Sequence, residues 1–415
     1  MLRQCPIAID PSGRNVHAEA ARLRELGPIV KVVLPGGVPG WAVAGHEALR
    51  ELLADPRRVS KDAYRHWRAW IDGEVTHAWP LSIWVSVQNM ITAYGEEHTR
   101  LRKPAMAGFG ARRVAALRPR VEAVAAERLD ALAELPADEV VDLRAHYAHE
   151  VPTRVMFELF GIPERSWAML HKIINGFFDT GISVEEARQN SVDLYETMAD
   201  LVAYKRAHPA DDLTSAMLAA RDDENGARLT EKELTDNLIL LFTAGYETSV
   251  NLISSAVDLM LRHPAQRELV ESGLAAWEDV VEETLRLEPP AANGFLRFAV
   301  EDIEIDGTVI PAGDPFIVSF ASVGRDPALH GADADAFDIT RPSRGDHMAF
   351  GFGIHYCLGA TLARLEAAVS LTALFRRFPE ISAAGCPGRL PRTESFISNG
   401  LRELPVRLGP QRVTG

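Results

Sequence analysis

Apolar and polar positions along this chain alternate at helical spacing in most places, at strand spacing in a few, and at neither in one aromatic stretch. Val16, Ala20, Leu23 and Leu26 predict a helix over residues 15–26. The run Ile29 to Leu34 reads as a strand, which Gly36-Gly37-Val38-Pro39-Gly40 turns into Trp41-Ala42-Val43, a hairpin signal. Helix returns over 44–54. Residues 62–93 follow no period: Tyr64, Trp67, Trp70, Trp79, Trp84 and Met90 crowd a segment broken by Gly73 and Pro80. Such density reads either as core packing or as a loop lining an apolar ligand pocket.

From 112 to 206 the pattern is helical with short breaks, including Glu150–Phe160 and Trp167–Phe178 on either side of Gly161-Ile162-Pro163. Thr230-Glu231-Lys232-Glu233 is a capping box that opens a helix running to about Arg262. That helix is apolar nearly all round from Leu238 to Phe242 and from Val250 to Met260, which belongs in the middle of a core. Further on, 277–287 and 358–378 are helical, 303–310 and 315–320 supply short strands, and Phe396–Gly400 with Leu404–Val406 reads as a closing hairpin.

Composition places this pattern in a globular protein of 415 residues, 47% hydrophobic and 25% charged, able to bury a large core. A net charge of −14 argues against a general nucleic-acid binder. Cys5, Cys357 and Cys386 show no C-x-x-C spacing, so no disulfide framework is expected. The N-terminal residues lack the apolar core of a secretory signal, and no stretch approaches the roughly 20 apolar residues of a membrane span. A soluble, cytoplasmic protein is expected.

Three stretches carry chemistry. In Phe350-Gly351-Phe352-Gly353-Ile354-His355-Tyr356-Cys357-Leu358-Gly359 a cysteine sits in a glycine-rich loop before a helix. Glycines at 351, 353 and 359 allow backbone that a Cβ would block, and a helix starting near Leu358 would aim N–H groups at the sulfur, favouring thiolate. Cys357 is therefore a candidate metal ligand, or else a buried structural cysteine. In the central helix, Thr243-Ala244-Gly245-Tyr246-Glu247-Thr248 places an acid, hydroxyls and a glycine where apolar residues are expected. Either Thr248 merely bonds the carbonyl of Ala244, or the group is functional. His98 and Arg102, four apart, share a helix face and could clamp one anion.

Phe350, Gly353, Cys357 and Gly359, with His355 two before the cysteine, resemble the haem-binding loop of the cytochrome P450 family. Ala244-Gly245-Tyr246-Glu247-Thr248 resembles that family's oxygen-binding groove, with glutamate where many relatives have aspartate. His98-x-x-x-Arg102 resembles its propionate clamp. Glu283-Thr284-Leu285-Arg286, placed ahead of Pro289-Pro290, resembles its charge-paired helix.

The resemblance covers essentially the whole chain and implies one mostly helical domain over 1–415 with a small β-rich region. It implies haem b (iron protoporphyrin IX) held between the central helix and the cysteine loop, its iron ligated by Cys357 with Phe350 beside the sulfur. Gly351, Gly359 and Ala363 would lie against it, the last on a flat face with Ala360 and Ala367. His98, Arg102, Arg297 and His355 would neutralise its propionates. Ala244 and Gly245 would open the groove over the iron, Thr248 would steady bound oxygen and a water, and Glu247 would relay protons.

Met90, Ile91, Phe177, Phe178, Leu240, Thr243, Ala244, Asn293 and Ile397 would face the substrate, and Glu283, Arg286 and Arg341 would hold the fold. The implied activity is a monooxygenase reaction of O2 with an apolar small molecule such as a steroid, macrolide, polyketide or terpenoid. Electrons would come from NAD(P)H through a separate ferredoxin and ferredoxin reductase, for which Arg100, Lys103, Arg112 and Arg113 offer a basic docking patch. Epoxidation, oxidative coupling and haem sensing without turnover are the alternatives.

Overall fold

The computed structural model describes residues 6–79, 81–178, 184–220, 229–385 and 390–412, apart from the side chains of 83, 171, 174–178, 184, 187 and 295. Twelve elements position the site. In chain order they are β1 (Ile29–Leu34), β2 (Val38–Val43), β3 (Val59–Ser60), α1 (Gly95–Met106), β4 (Val140–Asp142), α2 (Glu150–Phe160), α3 (Glu231–Arg262), α4 (Trp277–Leu287), β5 (Asn293–Ala299), β6 (Pro315–Ser319), α5 (Ala360–Arg377) and β7 (Pro405–Arg407).

The 32-residue helix α3 begins where its capping box predicts. Thr230 Oγ1 accepts the Glu233 N–H at 3.2 Å, and Glu233 Oε2 accepts the Thr230 N–H at 2.8 Å. Glu233 also pairs with Arg100 of α1, so the cap ties the two helices together. Every residue of α3 from Ser249 to Met260 is buried, packed against α2, α4 and α5 in the larger core. None of the described helices is long and apolar enough to cross a membrane.

A six-stranded sheet forms the second region, in the order Ile7–Ala8, β1, β2, β6, β5, β3. The β2–β6 pairing is parallel, whereas β1–β2, β5–β6 and β3–β5 are antiparallel. Trp67, Trp70 and Trp79 are buried in a cluster against this sheet. Trp67 stacks on Phe298 with centroids 5.4 Å apart, and the Trp79 indole N–H donates to the Pro35 carbonyl at 2.7 Å. These three tryptophans are therefore core, and the pocket-lining reading of them is corrected.

The expected closing hairpin is also corrected. Arg392 and Leu401 bridge the loop to itself, while β7 leaves it to pair with β4 and with Ser382–Ala383. β4, only three residues long, carries too little apolar alternation to stand out. It is completed by a strand from the far end of the chain, with the Leu143 N–H donating to the Leu404 carbonyl at 2.9 Å. Cys5 and Cys386 lie outside the described residues.

Candidate cofactor site

The cysteine loop is built by short backbone bonds. The Cys357 N–H donates to the Phe350 carbonyl at 2.9 Å, the Gly351 N–H to Met348 at 2.8 Å, and the Tyr356 N–H to Gly353 at 3.0 Å. Gly353 has φ +71° and a Cβ there would stand 2.0 Å from the Leu53 carbonyl oxygen, so only glycine lets the loop rest on helix His46–Ala54. Gly351 is also left-handed, at φ +73°. Gly359 is not: its φ is −80°, and its contribution is an N–H.

The Gly359 and Ala360 N–H groups at the start of α5, together with Arg102 and Arg364, favour the Cys357 thiolate. Burial outweighs them and pushes the thiol up. The N–H groups thus act in the direction expected of them, against the larger effect of burial. Cys357 is nonetheless accessible. Both observations hold if the sulfur faces an interior cleft, deep in protein but unfilled by it.

A second accessible surface within the core lies on α3. Leu240 and Thr243 are half-buried and Ala244 and Thr248 are exposed, although the helix around them is buried. Residues 240, 244 and 248 are one turn apart on one face, so a stripe in the middle of the core is left uncovered. The Thr248 hydroxyl donates to the Ala244 carbonyl at 2.8 Å and keeps its lone pairs free to accept. Gly245 is corrected from the groove reading: a Cβ there would point at Met156 Cε, 2.8 Å away, so this glycine serves the close approach of α2 to α3.

Glu247 points away from the stripe and is buried. Arg144, on a π-helical turn over Arg144–Ala148, donates to its two oxygens at 3.1 and 3.3 Å. Burial raises the Glu247 pKa, while Arg144 and His149 pull it down.

At one edge, basic groups gather. His98 of α1 is buried, and its ring lies 4.3 Å from that of His355. His98 Nε2 and His355 Nδ1 are buried without a hydrogen-bond partner among the described residues. Arg102 Nη2 donates to the Tyr356 carbonyl, bracing the cysteine loop. Burial brings Arg297 down to about 10, and burial with Arg102 and Lys61 brings His98 to about 4. His355 is pushed well below its ordinary value by burial, Lys61, His98, Arg297 and Arg102. Lys61, 5% exposed, has no motif around it and was not foreseen.

Glu283, Arg286 and Arg341 do come together. Arg286 is fully buried, with Nε and Nη2 each 2.7 Å from Glu283, and its remaining donors reach the carbonyls of Gly324, Ala334 and Ala336. Arg341 Nε lies 3.6 Å from Glu283. Another buried acid escaped notice: Glu366 of α5 accepts the Ser249 hydroxyl at 2.8 Å, and burial pushes its carboxyl up to about 8.

Among the substrate candidates, Met90 is buried and its N–H donates to Asn237 Oδ1 of α3 at 3.1 Å, with half-buried Ile91 beside it. Asn293 is corrected: it is buried and donates its amide to the Phe396 carbonyl at 2.7 Å, holding the tail loop. Ile397 in that loop packs partly on the sheet-side core. The side chains of Phe177 and Phe178 lie outside the described residues. Ala363 is half-buried, whereas Ala360 and Ala367 are buried, so the flat face reduces to Ala363.

Of the basic patch, Arg100 is spent on Glu97 and Glu233, and Arg113 lies 3.0 Å from Asp211. A cavity of about 220 Å³ lined by Ile162, Met169, Leu170, Met198, Leu201 and Tyr204 contains none of these site residues.

An iron porphyrin needs an axial donor, apolar walls and cations for two carboxylates. The accessible sulfur, the uncovered stripe of α3 and the two unpartnered imidazole nitrogens within a set of basic groups meet those needs, so the residues present fit haem. A family model described as Cytochrome P450 matches residues 159–272 and 274–389. The 2-hydroxy-5-methyl-1-naphthoate 7-hydroxylase of Streptomyces carzinostaticus is 44% identical, covering 97% of this chain and 98% of that protein. Among solved structures, CYP154A1 from Streptomyces coelicolor A3(2) is 46% identical with a TM-score of 0.89, covering 97% of this chain and 100% of that one. Testosterone-bound CYP154C4 from a Streptomyces species is 41% identical with a TM-score of 0.93, covering 99% and 100%.

Proposed function

The chain belongs to the cytochrome P450 family, and we propose that it hydroxylates an apolar, polycyclic or macrocyclic small molecule with electrons relayed from NAD(P)H by a ferredoxin reductase and a ferredoxin. The cofactor is haem b. When bound, its iron supplies dioxygen activation and transfer of one oxygen atom to a C–H bond.

What the chain's own residues contribute follows from the geometry. Cys357 offers the sulfur, and the Gly359 and Ala360 N–H groups hold charge on it. Ala244 leaves room over the stripe of α3, and Thr248 offers an oxygen acceptor there. Glu247 is one residue from Thr248 and held by Arg144, so release of that ion pair lets a carboxylate carry protons toward the stripe. Met90, Ile91, Leu240 and Thr243 supply an apolar boundary from which water is excluded.

The observation that carries this reading is the exposure of Ala244 and Thr248 in a helix whose following turns, Ser249 to Met260, are buried, in a chain whose accessible cysteine sits in the matching loop. The substrate class rests on the names of similar proteins, a naphthoate hydroxylase and a testosterone-bound enzyme. The test is a carbon-monoxide difference spectrum of the reduced protein, followed by Soret-shift titrations with steroids, macrolactones and naphthoates. The haem-thiolate spectrum is expected in the wild type and lost in Cys357→Ser. Its retention in the variant refutes the ligand assignment.

A further inference from the structure

Just over one turn into α5, Arg364 belongs neither to the basic edge nor to the Glu283 trio. Its guanidinium carbon lies 4.5 Å from the ring centroid of Phe350, the residue whose carbonyl accepts the Cys357 N–H. Arg364 Nη1 also reaches the Tyr356 hydroxyl at 3.4 Å, one residue before the cysteine. Glu282 of α4 fixes the group there. Arg364 Nε and Nη2 donate to its two oxygens at 2.5 and 3.0 Å, a fork that suits a planar guanidinium. Glu282 is itself held: His347 Nδ1 accepts the Ala349 N–H at 3.2 Å, which leaves the ring proton on Nε2, 3.2 Å from Glu282 Oε2. Burial raises the Glu282 carboxyl, but His347 and Arg364 outweigh it and bring it to about 2. The pair is therefore charged at neutral pH, its cationic end stacked on the cysteine loop. Against the burial that pushes the Cys357 thiol up, Arg364 is one of the groups that favour the thiolate, so its field reaches the sulfur. A centre bound to that sulfur becomes more negative by one unit when it takes an electron. A fixed cation beside it favours the reduced state, and a fixed anion opposes it.

Resting on the haem reading, we propose that Arg364, stacked on Phe350 and positioned by Glu282, sets the ferric–ferrous potential of the haem by placing one fixed positive charge on the thiolate side. The step it governs is the one-electron reduction of ferric to ferrous haem, with the electron taken from the ferredoxin of the proposed function.

The test measures the midpoint potential of the substrate-free holoenzyme by spectroelectrochemistry with small mediators, so that no protein docking enters, in wild type, Arg364→Met, Arg364→Lys and Glu282→Gln. Arg364→Met should lower the ferrous-to-ferric ratio at a given potential roughly 3–10-fold, a downward shift of about 30–60 mV. Glu282→Gln should shift the potential upward, and Arg364→Lys, which keeps the charge, should stay nearer to wild type than Arg364→Met does. Damage to packing alone gives no reason for Arg364→Met and Glu282→Gln to move in opposite directions. An unchanged potential in Arg364→Met overturns the proposal, as do shifts of the same sign in those two variants. If Arg364→Met does not fold, Glu282→Gln decides it: its potential must rise, and a fall or no change overturns the proposal. A wild type that takes up no haem refutes the P450 reading itself, before the variants are compared.

Discussion

Two of the buried arginines among the described residues, Arg286 and Arg297, sit among groups that handle charge in opposite ways. Around Arg286 every guanidinium donor is matched at once, two on the Glu283 carboxylate and the others on backbone carbonyls. Around Arg297 the groups acting on one another are Lys61, Arg102, His98 and His355, which share one sign when protonated. Arg286 itself has every donor matched within the fold, whereas the groups around Arg297 press on one another with one sign of charge. A buried cation's neighbours therefore tell whether it serves the fold or a ligand, more directly than its burial does.

The comparison breaks most visibly at Arg286. Replacing it by methionine strands the Glu283 carboxylate in the core, with an expected loss of about 3–5 kcal/mol in both cofactor-free and cofactor-bound protein, measured by denaturant unfolding. Arg297→Met should show the reverse split. The cofactor-free protein should lose less stability than with Arg286→Met, while haem dissociates roughly 10–100-fold faster. Equal losses of stability in the two variants would erase the distinction.

The smallest effect concerns a buried acid belonging to neither group. Burial holds the Glu366 carboxyl up at about 8, above the ordinary carboxylate range. Between those two values the folded chain keeps a proton that the unfolded chain has released, so its contribution to stability is full in acid and declines as pH rises toward 8. Glu366→Gln keeps the hydrogen bond with Ser249 and should flatten that decline, seen as a melting temperature that changes less between pH 5 and pH 9 than in the wild type.

Much of this was legible in the sequence wherever the signal is local. The Thr230 cap, Gly351 and Gly353 of the cysteine loop and the apolar run of α3 each depend on residues a few positions apart, and each stands where its spacing predicts. The acid–arginine trio was readable because order along the chain singled out one Glu-x-x-Arg among several. What escaped depends on partners far away. Lys61 joins the basic edge only through a strand register reaching more than 230 residues ahead, and the direction of the absent Gly245 side chain follows only from Met156. The tryptophans misled because aromatic density looks alike whether it faces a sheet or a ligand. Asn293 misled because an amide can as readily tie down a loop as face a substrate.

The stretch between Trp79 and Met90 is fastened at both ends, by an indole bonded to Pro35 and by a backbone N–H bonded to Asn237. Apart from the Trp79 indole at its end, neither fastening uses a side chain of the stretch, and neither touches the basic edge. Apart from the buried Val85 and Asn89, its inner residues can accordingly be exchanged over generations while the ends stay put. Lineages carrying this scaffold can acquire new chemical tastes there without renegotiating the machinery that makes oxidation possible.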